Sequence, residues 1–219
     1  MHTLHAPHGI TIAWGKALPD RRQASRRMLR SLLRSQLGEG FELIQQCPAC
    51  GSAAHGPLRV GLNAAASAAG DMSASGAVAV PRSVPRAVPC PVPLVSVSYA
   101  GSLVVVGVAP AGASAFGIDV EVDSPATRAA VTEALGGSGE RGASSRLGTP
   151  GVPGSLPQVR DWTRLEAIAK AHGRGLRGDW AAYAASAGTG TGTGTGALEC
   201  FELALPGAPA GIILSIAHK

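Results

Sequence analysis

The chain has 219 residues and a net charge of +5, with 45% hydrophobic residues but only 15% charged and 4% aromatic. That length supports one sizeable core or two small ones, and 30 glycines and 16 prolines predict long stretches outside it. The longest apolar strand-like run, Leu103 to Ala109, is far too short to span a bilayer, and the positive balance predicts an anionic partner without choosing among phosphate, nucleic acid and an acidic protein. The first residues lack the basic start and continuous apolar stretch of a secretory signal. A cytoplasmic protein is therefore expected, with Cys47, Cys50, Cys90 and Cys200 as thiols.

In chain order, Ile10 to Trp14 reads as a short strand. Asp20 can cap a helix running to Leu37 and stopped by Gly38. Met28, Leu29, Leu32, Leu33 and Leu37 form its apolar face, while Arg22, Arg26, Arg30 and Arg34 recur at i+4 as a basic stripe. The stripe is either a solvated face or a platform for a phosphorylated ligand, because arginine grips phosphate bidentately. Next comes Cys47-Pro-Ala-Cys50-Gly-Ser-Ala-Ala-His55-Gly56-Pro57. Cys-x-x-Cys with a nearby histidine has the look of half a zinc knuckle, and small buried thiols in a turn are the plainer reading. Asn63 to Pro93, rich in alanine, serine and proline, reads as a partly extended linker.

Leu94 to Val108 predicts a buried hairpin turning at Ala100-Gly101-Ser102. The next stretch, Phe116-Gly-Ile-Asp-Val-Glu-Val122, reads as a strand with Phe116, Ile118, Val120 and Val122 on one face and Gly117, Asp119 and Glu121 on the other. Asp119 and Glu121 are then neighbours roughly 6.5 Å apart along the strand. Asp123 is expected to end the strand. Ser124 can cap a helix to Leu135, after which 136–160 is low-complexity loop. Asp161 to Lys170 reads as a helix with Trp162, Glu166 and Lys170 on one stripe and Leu165, Ile168 and Ala169 facing the body. The alternating Gly-Thr tract at 188–196 is an insertion of no fixed structure, and Leu198 to Leu205 with Ile212 to Ile216 reads as a closing hairpin.

If the Trp162 helix crosses the polar face of the Phe116 strand, Asp119, Glu121, Glu166 and Lys170 converge. Three carboxylates in one place repel one another unless a cation lies between them, and oxygen ligands favour Mg2+, which completes its shell with substrate phosphate. The plainer reading makes Thr163-x-x-Glu166 a capping box, with Lys170 the i+4 partner of Glu166.

Gly117-Ile-Asp-Val-Glu121 followed by Trp162-x-x-x-Glu166-Ala-x-x-Lys170 and Gly173-Arg-Gly-Leu176 resembles the paired motifs of 4′-phosphopantetheinyl transferases. The likeness is to the larger single-chain class, with actinobacterial-like features. The resemblance implies an α+β fold of two similar α/β halves in a pseudo-two-fold arrangement, here 1–93 and 94–219. It implies a monomeric, Mg2+-dependent transferase moving 4′-phosphopantetheine from coenzyme A to a serine of an acyl or peptidyl carrier protein. Asp119, Glu121 and Glu166 would hold the metal, and Glu166 and Lys170 would be catalytic. His55, Gly56, Arg59, Ser98, Tyr99 and Lys170 would contact coenzyme A, together with basic residues of the N-terminal region. Tyr99 stands where many members have histidine, Leu165 where lysine is common, and the basic residue of the His-Gly loop falls after its proline, at Arg59 rather than Leu58. A non-catalytic carrier-binding relative and a basic nucleic-acid-binding module are the alternatives. The second is disfavoured because basic residues are not interleaved with aromatics.

Overall fold

A computed structural model describes residues 1–17, 19–62, 91–136, 158–173 and 198–219. The expected linker up to Cys90, the expected low-complexity stretch at 137–157, the Arg174-Gly-Leu176 end of the second motif and the Gly-Thr tract lie outside them. The described residues form an α+β fold of three helices and three small sheets.

The first sheet joins β1 (His2–His5), β2 (Thr11–Lys16), β6 (Leu103–Ala109) and β5 (Leu94–Ala100), in that order and all antiparallel. Because side chains alternate along a strand, β6 serves two cores. Leu103, Val105 and Ala109 face one, while Val104, Val106 and Val108 face the other. The second face is covered by α1 (Arg21–Leu37), whose Ala24, Met28, Leu29, Leu32 and Leu33 lie buried against it. Asp20 caps α1 as its sequence predicts, accepting from the Gln23 N–H at 2.9 Å, and Gly38 ends it at φ +70°. Beside α1 sits a hairpin absent from the sequence-based expectation, β3 (Phe41–Gln45) and β4 (Leu58–Leu62).

The opposite face carries the third sheet. Its strands are β7 (Phe116–Val122), β9 (Ile212–His218) and β8 (Glu199–Glu202), with β9 central and both pairings antiparallel. Phe116, Ile118 and Val120 enter the core shared with Ile10, Ile12, Trp14 and Val105. As an outer strand β7 presents unpaired N–H groups, and serine side chains meet them. Ser96 Oγ of β5 accepts from Ile118 N–H at 3.1 Å and Ser98 Oγ from Val120 N–H at 3.2 Å. Two hydroxyls thus stand in for a backbone ladder and fasten one sheet across the other.

The outer face of β7 is covered by α3 (Val159–Ala171), which buries Leu165, Ala167, Ile168 and Ala169. Beside it lies α2 (Pro125–Gly136), capped by Ser124, whose Oγ accepts from Thr127 N–H at 3.1 Å. The sequence places the start of α3 slightly late. Gln158 is its N-cap, and Asp161 Oδ2 accepts from the Gln158 N–H at 2.8 Å, closing a capping box with Asp161 rather than Glu166. Thr163 instead bonds Ser215 of β9 at 2.8 Å, with both side chains buried. Glu166 is thereby released from the capping role. Asp123 ends β7 in an ion pair with Arg128, at 2.6 Å and 2.9 Å.

Candidate functional site

Gly117 sets how closely α3 approaches β7. A Cβ there would press on the Ala167 carbonyl oxygen, stand 2.5 Å from Ala171 N and 3.0 Å from Lys170 Cβ. Only the bare backbone of glycine lets the helix lie so near the strand. That approach carries Glu166 and Lys170, one turn apart, over the two carboxylates that follow Gly117 on the same strand face.

The result is a polar cluster at the junction of β5, β7 and α3. Asp119 is 2% exposed. Its Oδ1 accepts from Lys170 Nζ at 2.6 Å and from Ser98 Oγ at 2.8 Å, and Lys170 also donates to Ser98 Oγ at 3.2 Å. Glu166 Oε2 lies 3.9 Å from the same ammonium, with its side chain 16% exposed. Burial, reinforced by the nearby charge of Asp119, pushes the Glu166 carboxyl up to about 8 against the opposing pull of Lys170. Burial and Asp119 also raise Glu121 above the usual carboxylate range.

The cluster holds three carboxylates and one ammonium, a surplus of negative charge that must take up a proton or a cation. Asp119 Oδ2, buried and without a hydrogen-bond donor, is an acceptor that either can satisfy. These features suit a hard divalent ion bound by oxygen ligands. Among the described residues the only group of three His, Cys, Asp or Glu donor atoms all within 4.8 Å of one another is Cys47, Cys50 and His55; Asp119, Glu121 and Glu166 do not meet that spacing.

Among the described residues Lys170 is the cation in direct contact with Asp119. Replacing it by methionine keeps most of the stem but strands a buried carboxylate, at a cost of about 3 kcal/mol. Urea unfolding of Lys170→Met measures it, and a midpoint equal to wild type would show the pair to be energetically idle.

The other expected contacts lie elsewhere. Tyr99 follows Ser98 on β5 and so points the opposite way; its hydroxyl meets Ser25 Oγ of α1 at 2.8 Å. His55 and Gly56 lie in the loop between β3 and β4, and Arg59 is an exposed residue of β4. The arginine stripe lines two shallow depressions on the outer side of α1. One, of about 560 Å3, is bounded by Gln23, Arg27, Arg30, Ser31 and Arg34, and the second, of about 440 Å3, by Arg22, Arg26, Arg30 and Ala53 among others. The carboxylate cluster and this basic side therefore flank opposite faces of the four-stranded sheet. The edge strand β5 adjoins the cluster through β7 and also touches β4.

Sequence reasoning missed the part of Ser96 and of the Thr163–Ser215 pair, since nothing in a strand's alternation tells which hydroxyl meets a backbone amide of another sheet. No helix among the described residues is long and apolar enough to cross a membrane. No known protein family's sequence profile matches the chain, and no curated protein matches it.

Proposed function

We propose that this protein transfers the 4′-phosphopantetheine group of coenzyme A to a serine of an acyl or peptidyl carrier protein, with Mg2+ held by Asp119, Glu121 and Glu166. The supporting observation is the meeting of Asp119 from β7 with Glu166 and Lys170 from α3. The motif resemblance by itself leaves that meeting open, and the capping-box reading of Glu166 would not produce it.

In this reading the serine oxygen attacks the β-phosphorus of coenzyme A. The bond to the departing adenosine 3′,5′-bisphosphate breaks and the serine proton passes to Glu166. Mg2+ would supply Lewis-acid stabilisation of the negative charge on the pyrophosphate. Glu166, one helical turn from Lys170 and beside Asp119, is the carboxylate placed to accept that proton. Lys170 neutralises phosphate charge or protonates the departing group, and Ser98 holds Asp119 in place through its hydrogen bond. Coenzyme A, reaching from the carboxylates to the arginines, His55, Gly56 and Arg59, would cross the β5 edge. Tyr99 contributes through Ser25 rather than by pointing at the carboxylates. The reading carries with it a cytoplasmic monomer of two α/β halves in pseudo-two-fold relation, and an acidic carrier attracted to a chain of net charge +5.

The test is to incubate the protein with coenzyme A, Mg2+ and a panel of apo carrier proteins, then weigh the carriers. One carrier is expected to gain one phosphopantetheine. Chelating the divalent ion is expected to stop the gain, and restoring Mg2+ to bring it back. Carriers that bind but never gain mass would replace transfer by a docking role, and a rate indifferent to chelation would remove the carboxylates from catalysis.

A further inference from the structure

The geometry points to a second metal site, unconnected with the carboxylates: Cys47, Cys50 and His55 bind one zinc-class divalent ion, with water completing a tetrahedron. The donor atoms of the three side chains lie within 4.8 Å of one another, and Cys50 Sγ stands 3.2 Å from His55 Nε2. Donor atoms around a tetrahedral zinc ion are roughly 3.5–3.8 Å apart, given its bond lengths to sulfur and nitrogen, so small rotamer shifts close the site. Two thiolates and an imidazole are soft and borderline ligands, which select zinc over magnesium.

The backbone is shaped to bring these three together. Cys47 N–H donates to Ser52 O at 2.9 Å and Cys47 O accepts from Gly51 N–H at 2.8 Å, so the chain turns tightly around the first cysteine. Gly51 takes φ +72°, where a side chain would be strained. The chain then returns across Cys47 at Gly56, φ +108°, where a Cβ would stand 2.6 Å from Cys47 N and Cα. That return sets His55 beside Cys50. Cys47 is buried, whereas Cys50 and His55 are exposed, so that among the described residues the fourth position faces solvent.

The site is also placed to have an effect. Ala53, inside the loop, lines one arginine depression, and Gly56 O accepts from Gln45 Nε2 at 3.0 Å while Arg26 donates to Gln45 Oε1 at 2.9 Å. An ion at the loop would fix one wall of the basic surface of α1, as a staple rather than a catalyst.

Cobalt reports this directly, because tetrahedral Co2+ bound by thiolates shows a sulfur-to-metal charge-transfer band that carboxylate sites lack. The reduced protein, freed of metal, is titrated with Co2+ and then with Zn2+. One equivalent of Co2+ is expected to give the band, and Zn2+ to bleach it and slow amide exchange over residues 47–56. Cys50→Ser and His55→Ala, both at exposed positions, are expected to weaken binding at least tenfold, while Cys200→Ser leaves the band unchanged. Absence of the band in reduced protein overturns the proposal, as does a band that survives in the Cys50→Ser/His55→Ala double variant. Failure of carrier modification would leave this result standing, since the readout does not involve the carboxylates.

Discussion

Glu166→Gln is expected to lower carrier modification on the order of 10^3-fold, because it removes a proton acceptor and a metal ligand in one step. The fold should survive, and glutamine lets a titration separate catalysis from stability. In metal-free wild type the Glu166 carboxyl titrates near 8 rather than 4.5. The native state therefore holds a proton that the unfolded chain has released between those values. Stability from this source is complete below the unfolded value and is lost as pH rises towards 8, with a slope of at most about 1.4 kcal/mol per pH unit. Denaturant unfolding across that window, with chelator present, should show the slope in wild type and a flatter profile in Glu166→Gln. Parallel profiles would mean that Glu166 is not the residue holding the proton, and full activity in the variant would remove it from the mechanism.

Gly117→Ala is expected to be strongly destabilising. The added carbon would lie against the Ala167 carbonyl and 2.5 Å from Ala171 N. Both are backbone atoms of a helix held by a buried apolar face, so neither can swing aside as a long side chain could. A loss of about 3 kcal/mol or more follows, and α3 moves away from β7, taking Glu166 and Lys170 off the carboxylates. Gly15→Ala is the matched control, since its nearest neighbour would be Met1 Cα at 3.8 Å. Urea midpoints for the two variants decide the matter. If both stay within about 0.5 kcal/mol of wild type, the close seat of α3 on β7 is not what holds the cluster together.

Much of this arrangement is legible from local pattern. Phe116 to Val122 alternates cleanly because one face enters a core and the other meets polar groups, and the buried positions of α1 repeat at helical spacing because they cover one sheet face. Asp20 and Ser124 act as caps through bonds that span three residues. The strands that escape such reading are short and half-exposed. β1, β3 and β4 have four, five and five residues, and their partners rather than their composition make them strands. The start of α3 is displaced because Gln158, an unusual cap, outcompetes Thr163, whose hydroxyl has a buried partner on β9. Tyr99 shows a different gap. A motif read residue by residue assigns it to the same ligand as Ser98, whereas the two-residue period of a strand separates them. The pairing of β2 with β6 depends on contacts far apart in sequence, which no local window contains.

Whether acids of β7 and α3 share one hard divalent ion is decided by Mn2+ binding followed by electron paramagnetic resonance. Manganese replaces magnesium at oxygen sites and has little preference for thiolates. Wild-type protein should take up one Mn2+ per chain, and Asp119→Asn and Glu166→Gln should each weaken that uptake at least tenfold. Equal uptake by wild type and both variants, or none by wild type, would contradict the account.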